Sequence, residues 1–158
     1  MNGTMTKIQN ALIPTTLDQI ITRHRDDYSL QLSSDEDLAG LQKSIVAAEC
    51  YAADEIIEWR VVCLERNPAL GRKAHILLGD VVRTGVPLST SPVLYIDRGS
   101  RWVVTASGSM YRLAGMKAPG EPPLLHMLHL CRTLHHWKIG ELLGVRSFPR
   151  QLENGQSN

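Results

Sequence analysis

The stretch LLHMLHLCRTLHHWKIGELLG, residues 124 to 144, holds four of the six histidines of the chain and one of its three cysteines. Imidazole is a metal ligand, and His126 and His129 stand at i, i+3, a spacing from which two rings on one helix reach a single zinc ion at about 2 Å. His136 follows roughly 15 Å further along the same helix and cannot join them. A third ligand must come from elsewhere, and no HExxH or comparable carboxylate-bearing motif supplies it. The expectation is therefore no bound metal, with His126 and His129 as the weak exception, and no cofactor. At 100° per residue His126, His129, Thr133 and His136 share an arc of roughly 80°, beside an apolar arc of Leu124, Met127, Leu130, Cys131 and Leu134. An exposed or interfacial histidine edge that titrates near neutrality is the plainer reading.

The end of the same stretch suggests different chemistry. WKIGELLGV, residues 137 to 145, resembles the second helix and turn of a helix-turn-helix, with Ile139 and Leu143 facing inward, Gly140 allowing close helix approach and Gly144 in the turn. A recognition helix would then carry Arg146 and Arg150 beside Lys138, although Pro149 falls inside it, where it removes an amide donor and clashes with the preceding turn. This gives DNA binding through residues 137–150 as one alternative. Lys138 also sits in the middle of the upstream apolar arc, so the helix is expected to break near Trp137.

Elsewhere the reactive residues fall into no constellation. Cys50, Cys63 and Cys131 are an odd number without close CxxC spacing, which predicts buried, reduced thiols and no disulfide framework. SGS at 107–109 lacks a GxSxG context and is explained by turn chemistry. No glycine-rich phosphate loop occurs. The chain is thus expected not to be an enzyme, a metal-dependent enzyme using His126 and His129 being the less favoured alternative.

Charge is unevenly distributed along the chain. Residues 1–59 carry 4 Lys+Arg and 10 Asp+Glu, net −6, and residues 60–158 carry 13 and 6, net +7. A basic half can meet nucleic acid or an acidic protein, the two halves can drive self-association, or they can neutralise each other within one fold. With no secretory leader pattern and no run of eighteen apolar residues, the chain reads as cytoplasmic with no membrane contact.

Positioning these groups falls to elements read from periodicity. A flexible arm is expected over 1–15, one α+β domain over 16–150 and a disordered tail over 151–158. Thr16 with Gln19 is a capping-box pattern opening a helix to about Leu32, and Ser33 with Glu36 repeats it. From there to Arg66 no proline intervenes, and Leu38, Leu41, Ile45, Ala48, Ala52, Ile56, Trp59 and Cys63 follow near-heptad spacing. This predicts one long acidic helix of roughly 45 Å. It would form a hairpin with the first helix or a dimer seam through Leu38, Leu41, Ile45, Ala52, Ile56 and Trp59. Asn67 and Pro68 are read as the start of a third helix ending at Gly85. VLYI, RWVVT and MYRL over about 93–113 form a three-stranded antiparallel meander, with C-terminal helices at about 123–145.

The expectation is a small non-catalytic regulator or inhibitor acting by macromolecular binding through its basic half. Tyr95, Arg98, Arg101, Arg112, Lys138, Arg146 and Arg150 would contact a protein partner or a nucleic-acid-handling complex, with a homodimer possible through the long helix.

Overall fold

The computed structural model describes residues 13–42, 51–66 and 72–148, with backbone alone at 51–53. The described residues form a single six-stranded sheet with two α-helices, in place of the expected long helical hairpin. A 3₁₀ turn at Leu17–Gln19 precedes β1 (Tyr28–Leu32), α1 (Asp35–Gln42) and β2 (Tyr51–Arg66). After these come β3 (Arg72–Val81), β4 (Pro87–Asp97), β5 (Trp102–Thr105), β6 (Ser109–Leu113) and α2 (Leu124–His136). The expected first helix is a 3₁₀ turn and a strand, the second is α1 plus β2, and the third is β3. The meander at 93–113 is present as part of a larger antiparallel array. The N-terminal arm before Ile13, the tail at 151–158, Ile45, Cys50, Asn67, Pro68 and Arg150 lie outside the described residues.

β2 through β6 follow one another antiparallel, and the array closes on itself where β6 pairs in parallel with the start of β2, Tyr51 opposite Ser109 and Ile56 opposite Leu113. The far half of β2 pairs with β1, Leu32 opposite Val62 and Tyr28 opposite Arg66. One long strand thus serves two neighbours on the same edge and β3 on the other, and its two faces are covered by the barrel interior and by the packing of α2 and residues 17–21. Central strands of this kind read as continuous apolar runs rather than alternating ones; Trp59 through Leu64 are all buried.

Two cores result. Ile56, Trp59, Val61, Leu77, Val93, Ile96, Val103 and Leu113 fill the inside of the barrel, and Leu38 from α1 plugs it. Val62, Leu64, Ile76 and Leu78 point outward and pack against Met127, Leu130, Cys131 and Leu134 of α2 and against Leu17, Ile20 and Ile21. Leu38, Ile56 and Trp59 are therefore interior groups of one chain, and Leu41 packs beside them. They cannot form an intermolecular seam. The side chain of Ala52 is not described and its backbone pairs with Met110.

The apparent heptad has a local cause. The β2–β3 register slips between Ile57 and Arg60, and Glu58 there adopts φ 55°, the signature of an inserted residue. The bulge brings Ile56 and Trp59, three apart, into the same core, imitating a helical i, i+3 pair. A second slip, in β4 between Val93 and Tyr95, turns Leu94 out to 45% exposure.

α1 starts with a capping box one residue later than expected. Ser34 Oγ accepts from Asp37 N at 3.0 Å, and Asp37 Oδ2 accepts from Ser34 N at 3.1 Å. Among the described residues, no helix is long and apolar enough to cross a membrane.

Candidate functional site

α2 ends at His136 with Trp137 as its cap, and Lys138 follows with φ 65°, so the break expected at Trp137 is present. Residues 137–148 then form turns and irregular backbone, with no second helix. They fold back on the N-terminal segment instead: Thr22 N and Arg23 N donate to Leu143 O at 2.9 and 3.0 Å, and Thr22 Oγ1 donates to Gly144 O at 2.6 Å. No helix follows the turn over 137–148, so the described part of 137–150 lacks the second helix of a helix-turn-helix. Lys138 and Arg146 are exposed on this irregular segment.

The histidine edge is also divided differently. His126 is buried at 1% exposure, with Nε2 2.8 Å from Asp80 Oδ1. Its Nδ1 has no hydrogen-bond partner among the described residues. His129, His135 and His136 instead line a groove of about 530 Å³ with Phe148. Of the two histidines at i, i+3, His126 is held by Asp80 and His129 lines the groove.

The electrical polarity of the sequence is offset in part within the fold. Lys73–Asp37 (2.9 Å), Arg83–Asp54 (3.1 Å), Arg98–Asp35 (3.3 Å), Arg112–Glu55 (3.6 Å) and Lys117–Asp35 (3.7 Å) each join an acid of the first 59 residues to a base of the rest. Surface pairs of this kind contribute little to stability, but they reduce the net positive field that the second half can present.

A second groove, of about 380 Å³, lies at the plugged end of the barrel. Its floor is Trp59 and Leu113, and its rim carries Asp35, Arg98, Arg101, Met116 and Lys117. Trp59 Nε1 donates to Gly115 O at 3.2 Å, fixing the indole under the loop. Gly115 takes φ 70°, a backbone turn that glycine adopts without Cβ strain, and the next residue, Met116, stands out at 87% exposure. On the opposite side the β4–β5 turn is set by Asp97 Oδ1 accepting from Ser100 N at 2.9 Å. That contact, with a second from Tyr95, holds the Asp97 carboxyl below its usual range. Three cations against one carboxylate leave the rim with an excess of positive charge, and Arg101 has no ion-pair partner among the described residues.

Of the residues expected to bind, Arg98 and Arg101 meet in this groove. Tyr95 bonds through its hydroxyl to Asp97 Oδ2 at 3.3 Å, and Arg112 is taken by Glu55; neither lines the groove. Asp35, Trp59, Met116 and Lys117 were not legible as site residues. They come from a helix cap, a strand bulge and a loop that only the closed barrel brings together.

A second constellation lies under α1. Cys63 and His75 are directly opposed on β2 and β3, and Asp37 approaches from α1, so that a ligand atom from each lies within 4.8 Å of the others. Ser33 Oγ is 2.9 Å from His75 Nδ1. Burial pushes the Cys63 thiol up to about 11, with the Asp37 charge adding to the effect, and burial lowers His75 below the ordinary histidine value. Burial also works against ionised Asp37, but hydrogen bonds from Lys73 and Ser34 outweigh it and keep the carboxyl below its usual range. The order Ser33, His75, Asp37 resembles a nucleophile, base and orienting acid. Ser33 and His75 are nevertheless buried at 5% and 7% exposure, and neither lines the grooves described above.

Comparison of the chain with protein-family models, curated proteins and solved structures finds no match.

Proposed function

We propose that this protein is a small non-catalytic regulator or inhibitor that acts by binding an acidic segment of a protein partner in the groove between α1, the β4–β5 turn and the loop at 115–117. The observation that carries this reading is the composition of that groove. Arg98, Arg101 and Lys117 ring an apolar floor of Trp59 and Leu113, and Met116 projects beside them at 87% exposure. Arginine and methionine are enriched at protein interfaces, where an apolar centre is bordered by polar contacts. Electrostatic complementarity would steer an acidic partner toward the rim and set its orientation.

Double-stranded nucleic acid is the less suitable ligand. A protein that follows a phosphate backbone needs many cations along one surface, whereas here five bases of the second half are paired with acids of the first.

The test is affinity purification of the tagged full chain from its native cells, with and without nuclease, for the wild type and for the double variant Arg101→Glu, Met116→Asp. The expected result is a stoichiometric protein that survives nuclease with the wild type and is lost with the variant. A partner retained equally by the variant, or nuclease-sensitive nucleic acid with no such protein, would overturn the assignment.

A further inference from the structure

The buried trio under α1 has the donor set of a transition-metal site, and it arises from three separate elements. Cys63 Sγ, a ring nitrogen of His75 and a carboxylate oxygen of Asp37 lie within 4.8 Å of one another. Thiolate, imidazole and carboxylate together suit Zn²⁺ and disfavour Mg²⁺ and Ca²⁺, which take oxygen ligands. Tetrahedral zinc with bonds of about 2.0–2.3 Å needs ligand atoms roughly 3.3–3.6 Å apart, so closure requires a shift of about 1 Å from side chains that already converge. Asp37 provides the adjustable member, since it reaches in from α1 while Cys63 and His75 are fixed across the β2–β3 ladder.

The surroundings resemble an outer shell. Ser33 Oγ bonds to His75 Nδ1 and orients the ring, as hydroxyls and carboxylates do for ligating histidines. Ser34 N holds Asp37 Oδ2, and Lys73 Nζ holds Asp37 Oδ1 at 2.9 Å. The lysine side chain is 37% exposed, so it marks the solvent side of the trio.

We propose that Asp37, Cys63 and His75 form a site for one Zn²⁺ ion, which fastens α1 across the end of the barrel. On binding, the Cys63 S–H proton leaves to solvent and the thiolate sulfur bonds to the metal. His75 binds as the neutral ring, and Asp37 shares its carboxylate between the ion and its present partners. A water molecule from the Lys73 side completes four-coordination. The ion joins α1, β2 and β3, so its effect is on the position of the plug and is separate from the chemistry of the groove rim.

The probe is Co²⁺ added to the chelator-treated full-length protein, followed by its thiolate-to-cobalt charge-transfer absorption, with Zn²⁺ competition. One equivalent is expected to bind to the wild type and to Cys131→Ser, and Zn²⁺ should displace it. Cys63→Ser is expected to abolish the absorption. Asp37→Asn, on the outer helix, is expected to weaken affinity at least tenfold while the protein stays folded; it decides the matter if Cys63→Ser does not fold. The proposal is overturned by the absence of a charge-transfer band in the wild type, by a band that persists in Cys63→Ser, or by unchanged affinity in Asp37→Asn.

Discussion

Substituting alanine at Gly79 separates the barrel from the helical reading of the same residues by the sign of its effect. In a helix spanning 68–84 an interior Gly→Ala change stabilises by about 1 kcal/mol. In β3 the glycine faces the bulge of β2. A Cβ there would run into the Ile56 side chain and would lie 3.1 Å from Ile57 O and 3.4 Å from the Trp59 Cα. Ile56 is fully buried and cannot swing into solvent. Overpacking of this kind costs about 1–3 kcal/mol, against about 0.4–1 kcal/mol gained by restricting the unfolded chain. The balance is a loss of up to about 2.6 kcal/mol, a fall of up to roughly 10 °C in Tm for a domain of this size. Urea unfolding followed by tryptophan fluorescence measures it. A double-mutant cycle with Ile56→Ala locates the cause, because Ile56→Ala alone should cost about 2–5 kcal/mol and should cost less, by about 1 kcal/mol, once alanine is at 79. A rise in Tm for Gly79→Ala, or strict additivity with Ile56→Ala, would refute the packing argument.

The neutral, buried state of His75 makes stability depend on pH in a defined direction. With its folded value lowered from 6.5, the unfolded chain takes up a proton that the folded chain refuses, so stability is lost as pH falls below about 6.5, by up to about 1.4 kcal/mol per pH unit until the folded value is passed. Urea titrations of the chelator-treated protein between pH 7.5 and 5.5 should show a steeper loss in the wild type than in His75→Gln; equal slopes would refute this, and Asp37, whose lowered value acts below 3.8, does not interfere in that window. Leu134→Ala, at a fully buried position of α2, should cost about 2–5 kcal/mol, whereas Leu142→Ala, 48% exposed beyond the helix, should stay within about 0.5 kcal/mol; comparable losses in denaturant unfolding would contradict the end of the helix at His136. Arg101→Glu with Met116→Asp should leave the unfolding midpoint where it is in the wild type, which calorimetry checks, so that any lost partner reflects the groove and not the fold. Arg146→Ala should leave retention on immobilised duplex DNA unchanged at every salt concentration, and a smaller salt slope would restore the DNA reading.

The elements that sequence periodicity located well are those with one buried face. α2 is such an element: Met127, Leu130, Cys131 and Leu134 recur at helical spacing and all are buried against the sheet. β5 and β6 were legible from a different signal, the turn residues at 98–101 and 106–108, although Val103, Val104 and Thr105 of β5 are all buried. β2 and β3 were not, because both of their faces are covered, one by the barrel core and the other by α2 and the apolar residues at 17–21. Val61 and Val62 are both buried, as are Ile76, Leu77 and Leu78, each neighbour entering a different core. Such a run has no period to read, and the bulge at Glu58 supplied a false one. Freedom from proline is equally required of a long helix and of a central strand, so it decided nothing.

The binding residues were legible in part for a related reason. Arg98 and Arg101 stand out because a short, polar hairpin turn exposes them, and exposure can be inferred from turn chemistry alone. Asp35, Asp37 and Trp59 had been placed on one helix, where their chemistry had no partner. In the folded chain Asp35 and Asp37 are separated by roughly 200° around α1, and they leave it on different sides. Asp35 meets Arg98 and Lys117 at the groove, and Asp37 meets Lys73 beside Cys63 and His75. Between them Leu38 enters the barrel core. A helix this short is marginal by itself. Its place depends on Leu38 below and on ion pairs at either flank, so the acidic first turn that reads as a complement to the helix dipole also serves as the clasp between the groove and the buried trio.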